Sequence, residues 1–100
     1  MFVLLGMLLL LIAQAVQLEV GDQLKVLPGH NIEIDGRDYA KEGDVGRITK
    51  FEKDDNGVDH LYIAWERTGL HSSYPKDDWP EKYKFEAKAR SHHAYRKISQ

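Results

Sequence analysis

The chain has 100 residues, 16 acidic against 14 basic for a net charge of -2, and no cysteine. That length leaves room for one domain with a modest core and argues against a large internal active-site cavity. The missing cysteines exclude a disulfide framework and a thiolate metal site.

The start, Met1 to Gln17, is apolar: up to Val16 only Gln14 is polar and no residue is charged. Such a run belongs in or through a membrane, and two forms of it compete. As a retained single-pass helix it reaches about 25 Å, slightly short of a hydrocarbon core of ~30 Å; thinning of the bilayer or packing among other helices accommodates the difference. Gly6 and Ala13 then offer small faces for helix packing. As a secretory signal it has Ala13-Gln14-Ala15 as a small-residue cleavage site but no positively charged start. The first charges beyond it are Glu19 and Asp22, with Lys25 the nearest base, so charge bias places the following domain on the lumenal or extracytoplasmic side.

The body, residues 18–85, reads as strands. Val20, Leu24 and Val26 alternate until Pro28-Gly29 stops them. Ile32 and Ile34 precede Asp35-Gly36, the pair that accepts the positive φ angles of a type I′ turn, so a hairpin or a long hairpin-like loop is expected there. Val45 and Ile48 cannot share one face of a regular strand, and a bulge at Gly46 is the expected repair. Asp54 to Gly57 turns the chain, and Leu61, Ile63 and Trp65 then alternate as the clearest strand, with Trp65 and Tyr83 expected in the core. Leu70 to Tyr74 fits another strand, Pro75 to Pro80 a tight helical turn or loop, and Tyr83 to Phe85 a closing strand. The expected fold is all-β, a small five-stranded barrel behind an N-terminal hydrophobic helix.

The order Gly21-Asp22-x-Leu24-x-Val26, Glu42-Gly43-Asp44-Val45-Gly46-x-Ile48, Leu61-x-Ile63-x-Trp65 resembles the SH3-like barrels grouped with KOW and Mind-bomb domains. In outline it is also similar to the SH3-like peripheral subunit family of photosystem I, reaction-centre subunit IV. The resemblance implies an SH3-like docking module without enzymatic activity, and a thylakoid setting. The aromatic run and Trp-Trp pair of peptide-binding SH3 domains are missing, so proline-rich ligands are not implied.

Sites for chemistry are weak. Glu52, Asp54, Asn56 and Gly57 imitate the opening of a calcium loop, but Ile63 stands where a bidentate Glu is required. His92-His93 point apart on any regular element, and Ser72 or Ser73 cannot pair with neighbouring His71 along a strand. Asp54-Asp55 and Asp77-Asp78 sit in turns, where acids bond the local backbone. No cofactor, metal or catalytic group is expected.

Binding is the better expectation. Tyr39, Tyr62, Tyr74 and Trp79 are the candidate contact aromatics, with Tyr62 and Tyr74 facing outward beside a groove near the first long loop. The tail, residues 86–100, carries Lys88, Arg90, Arg96 and Lys97 against Glu86 alone, whereas Leu18 to Phe85 holds fifteen acidic and ten basic residues. A basic tail suits anionic headgroups or an acidic protein surface, and an acidic body argues against nucleic acid. The function expected is an accessory subunit of a membrane complex, with other subunits as partners and the bilayer held through residues 1–17. A secreted or lumenal binding module is the alternative, and a small enzyme a remote one.

Overall fold

The structure, a computed structural model, describes residues 17–90. The apolar start with Gly6 and Ala13, and the tail positions His92, His93, Arg96 and Lys97, lie outside the described residues. Among the described residues no helix is long and apolar enough to cross a membrane.

Seven strands follow in order: β1 Gln23–Val26, β2 Ile32–Ile34, β3 Arg37–Ala40, β4 Val45–Lys53, β5 Asp59–Trp65, β6 His71–Pro75 and β7 Tyr83–Ala87, with a 3-10 helix, Lys76–Glu81, before the last. Five form one antiparallel sheet in the order β6-β5-β4-β1-β7, and β2 and β3 form a separate hairpin. At the hairpin turn Asp35 and Gly36 have φ of 53° and 75°. Two positive values in a two-residue loop are what a type I′ turn requires.

The sheet closes on its own apolar face. Leu24, Val26, Ile48, Leu61, Ile63 and Trp65 alternate inward from β1, β4 and β5, and each is at most 1% exposed. Leu18, Ile32, Ala40 and Tyr83 complete the core. Tyr83 on one edge strand meets Tyr74 on the other edge-to-face, with ring centroids 5.8 Å apart, so the sheet is curled enough to bring its edges together. The 3-10 helix spans the gap and packs on β5, β6 and β7. Trp65 lies 5.8 Å from Tyr83 on the other side.

Three expectations are corrected. The first strand starts at Gln23, because Gly21, at φ 96°, turns the chain and leaves Val20 55% exposed. The bulge in β4 is at Thr49, where the pairing steps from Ile48↔Ile63 to Lys50↔Tyr62. It puts Ile48 and Phe51 on the same inward face, while Gly46 itself faces inward and leaves Val45 to the outer side. Gly46 pairs with Trp65, and a Cβ there would lie 2.6 Å from the indole, so glycine makes room for the largest core side chain. Finally, the closing strand runs to Ala87, so the boundary expected at Phe85 falls inside β7. Residues 87–90 are not helical.

Candidate functional site

The β2–β3 hairpin is fastened to the turn between β5 and β6. Arg67 donates to Asp38 at 2.9 and 3.0 Å and to Asp44 at 2.7 Å, and the Thr68 hydroxyl donates to the Tyr39 carbonyl at 2.7 Å. At its other end the Glu42 carboxylate accepts the Gly29 N–H and the Asn31 side chain accepts the Glu42 N–H. Burial pushes the Asp44 carboxyl up, but the Lys41 N–H and the Arg67 guanidinium outweigh it and hold the group below the ordinary carboxylate value. Tyr39 is the bulged residue of β3 and packs half-buried against the core.

A second surface forms around the 3-10 helix. Trp79 is half-buried against the core and lines a cleft of about 320 Å³ with Gln17, Leu18, Lys76 and Asp77. The Lys76 ammonium lies 4.9 Å from the Phe51 ring centre, and Lys82 lies 4.8 Å from that of Tyr74. Cations over ring faces add modest attraction and leave an amphipathic rim. Tyr74 does not face outward as expected. It shares the inward side of β6 with Ser72, packs on the core at its rim and donates its hydroxyl to Glu81 at 3.0 Å. Tyr62 lies on the opposite face of the sheet, with Lys50 4.5 Å above its ring. The candidate aromatics therefore divide between two faces: Tyr39, Tyr74 and Trp79 against the core rim, Tyr62 outside.

A third feature was not anticipated. Asp22, with no exposed surface, accepts the Glu19 N–H at 2.8 Å, the Ala89 N–H at 2.7 Å and the Lys88 ammonium at 3.2 Å. Burial raises its pKa, yet these donors outweigh burial and leave it lowered. Lys88 and Arg90, expected in the basic tail, lie against the body. They border a groove of about 590 Å³ that also involves β1, β4 and the end of β7. The one signal in the sequence was Gly21-Asp22 just ahead of the first strand; its partner 67 residues on left none.

Side chains with reactive chemistry are occupied structurally. Asp54 accepts the N–H groups of Asn56 and Val58 at 2.8 and 2.9 Å and lies 3.0 Å from His60 Nε2, so it closes the β4–β5 turn. Its carboxyl is lowered, chiefly by the Val58 N–H. Ile63 is fully buried where a calcium loop would need its last ligand. Ser72 accepts the Trp65 indole N–H at 2.8 Å while His71 is exposed on the other face of the strand. Among the described residues no three His, Cys, Asp or Glu side chains converge as metal ligands.

No protein-family model, no curated protein and no solved structure matches this chain.

Proposed function

We propose that the chain is a membrane-tethered docking module of SH3-like barrel type, a non-enzymatic accessory subunit of a membrane complex. The observation that carries this reading is the junction between the apolar start and the body. Leu18, just past the run that ends at Val16, already has its side chain in the core and is 8% exposed. A segment inserted up to Val16 leaves no linker, so the body would sit directly on the bilayer surface. Trp79 and Lys76 share a cleft with Gln17 and Leu18 at that junction, and aromatic and basic side chains suit the interfacial depth. The curled five-stranded sheet with a hairpin between β1 and β4 and a 3-10 helix before the last strand supports the barrel reading. Binding is favoured over catalysis because Asp54 and Ser72 serve the fold.

A second reading has its own observation. Ala13-Gln14-Ala15 ends just ahead of the first core residue, so cleavage there would release the whole body intact as a secreted or lumenal binding module. Nothing among the described residues bears on a photosynthetic setting.

Intact mass and N-terminal sequence of the protein from its native membranes, beside a carbonate wash, separate the two. A chain that keeps residues 1–16, resists the wash and co-purifies with larger membrane proteins supports the tethered subunit. A chain that starts near Val16 and is released by the wash overturns it in favour of the secreted module.

A further inference from the structure

The groove bordered by β1, β4 and the end of β7 has a charge opposite to that of the body around it. Its walls carry three cations, Arg47, Lys88 and Arg90, beside the apolar Val20, Ala87 and Ala89, and among the described residues no carboxylate lines it. The stretch from Leu18 to Phe85, by contrast, has fifteen acids to ten bases. Lys88 is partly committed, with its ammonium 3.2 Å from Asp22 and 3.5 Å from Glu19. Arg47 and Arg90 are not: among the described residues neither has a carboxylate within salt-bridge distance. Strand register explains how Arg47 comes to be there. Gln23 on β1 pairs with Arg47 on one side and Ala87 on the other, which lines up β4, β1 and β7 across the groove floor.

Two features say what such a groove takes. A pair of guanidinium groups without carboxylate partners fits a phosphate, whose non-bridging oxygens accept parallel N–H bonds from the planar guanidinium fork. The groove also opens where the apolar segment joins the body: Val20 is one of its walls, and the Gln17 carbonyl lies 3.4 Å from the Lys88 ammonium. In a tethered protein that junction is at headgroup depth, where a lipid phosphate is the most abundant anion, and Val20, 55% exposed, meets the boundary with the acyl chains.

We propose that this groove holds the phosphate of an anionic lipid headgroup, with Arg47 and Arg90 as its ligands. The proposal rests on the membrane-tethered reading above. Each basic side chain near an anionic bilayer strengthens association about five-fold. The two arginines therefore set how the body lies on the membrane, and the apolar segment holds it there.

The sequence has no cysteine, so one probe site can be introduced cleanly. Thr49 lines the groove and is exposed; the full chain with Thr49→Cys carries an environment-sensitive dye there. It is reconstituted into vesicles of phosphatidylcholine alone or with phosphatidylglycerol, each containing spin-labelled lipid. The expected result is stronger quenching and a blue shift in the anionic vesicles, abolished by Arg47→Glu with Arg90→Glu. That double variant should keep the parent's far-ultraviolet spectrum and remain in the carbonate-washed membrane. Equal emission in both vesicle types, with the chain retained after the wash, overturns the lipid site and leaves the tether standing. Release of the chain by the wash overturns the tether, and the lipid site with it. A dye response saturated by inorganic phosphate in detergent, with no preference between vesicles, overturns the lipid assignment in favour of a soluble anion.

Discussion

Asp22 and Ala89 stand 67 positions apart and are joined by a 2.7 Å hydrogen bond, the Ala89 N–H donating to a carboxylate with no exposed surface. Together with the Glu19 N–H on the other carboxylate oxygen, this bond ties the entry of the body to its exit. Asp22→Ala would leave both N–H groups without their partner in a part-buried site. Such losses cost on the order of 1–3 kcal/mol per orphaned group. The expected outcome is a drop of about 3 kcal/mol in urea denaturation, with no change in the slope. Truncation after Ala87 removes the Ala89 donor and Lys88 together and should destabilise in the same direction. If either variant matched the parent's midpoint, the latch would contribute nothing to stability.

Acid should unfold the body through identifiable carboxylates. Asp22, Asp44 and Asp54 all have pKa values lowered in the folded chain from an ordinary value of 3.8. For a group lowered on folding, the stabilisation is present in full above the unfolded value and is lost as pH falls through the folded one. Stability should therefore be flat above about pH 5 and fall progressively below pH 3.8. Asp22→Asn should flatten part of that fall. At the alkaline end the sign reverses for Tyr83. Burial holds its phenol protonated well above the ordinary value of 10, so stability is present below pH 10 and is lost as pH rises beyond it. A spectroscopic titration that follows tyrosinate absorbance and far-ultraviolet signal together should show the last tyrosine ionising only as the sheet is lost.

Gly46→Ala should be destabilising although alanine is the smallest possible change. The backbone there is not at positive φ, so the cost is one of space. The added Cβ would come within 2.4 Å of Ile63 and 2.6 Å of Trp65, both of them fully packed. Forcing a methyl into a close-packed core costs about 1–3 kcal/mol. Thermal denaturation should give a lower midpoint for Gly46→Ala. An unchanged midpoint would mean that the indole shifts freely, against the packing described above.

What was legible in the sequence is what local chemistry determines. The β5 alternation of Leu61, Ile63 and Trp65 marked three core side chains, and Asp35-Gly36 marked a turn whose φ angles are those its residue types favour. The bulge was harder. The mismatch between Val45 and Ile48 suggests an extra residue at Gly46, whereas Val45 faces outward and the extra residue falls later, between Ile48 and Phe51. Trp65 decides it, because its ring needs the space above Gly46 and so keeps that residue in register. The Asp22 latch and the groove beside it were out of reach for a different reason. Both depend on β7 lying beside β1, a pairing between segments about 60 residues apart that leaves no local pattern. The division of the aromatics between two faces follows from the same cause: Tyr74 sits on the core side because β6 pairs with β5 in the register Leu61↔Tyr74.

Ser72 offers a test of how the Trp65 indole is held in the core. Its hydroxyl accepts the Trp65 indole N–H at 2.8 Å, and it is 8% exposed, so water cannot readily replace it. Ser72→Ala removes the acceptor and leaves the buried indole N–H unpaired, which costs about 1–3 kcal/mol. The variant should unfold at lower urea with an altered Trp65 fluorescence, while the half-buried Trp79, which lies on the 3-10 helix, reports no change. Ser72→Thr keeps an oxygen acceptor and should recover most of the loss. If alanine and threonine behave alike, the hydroxyl is not what holds the indole in place, and packing of Trp65 against Tyr83 at 5.8 Å must be doing so alone.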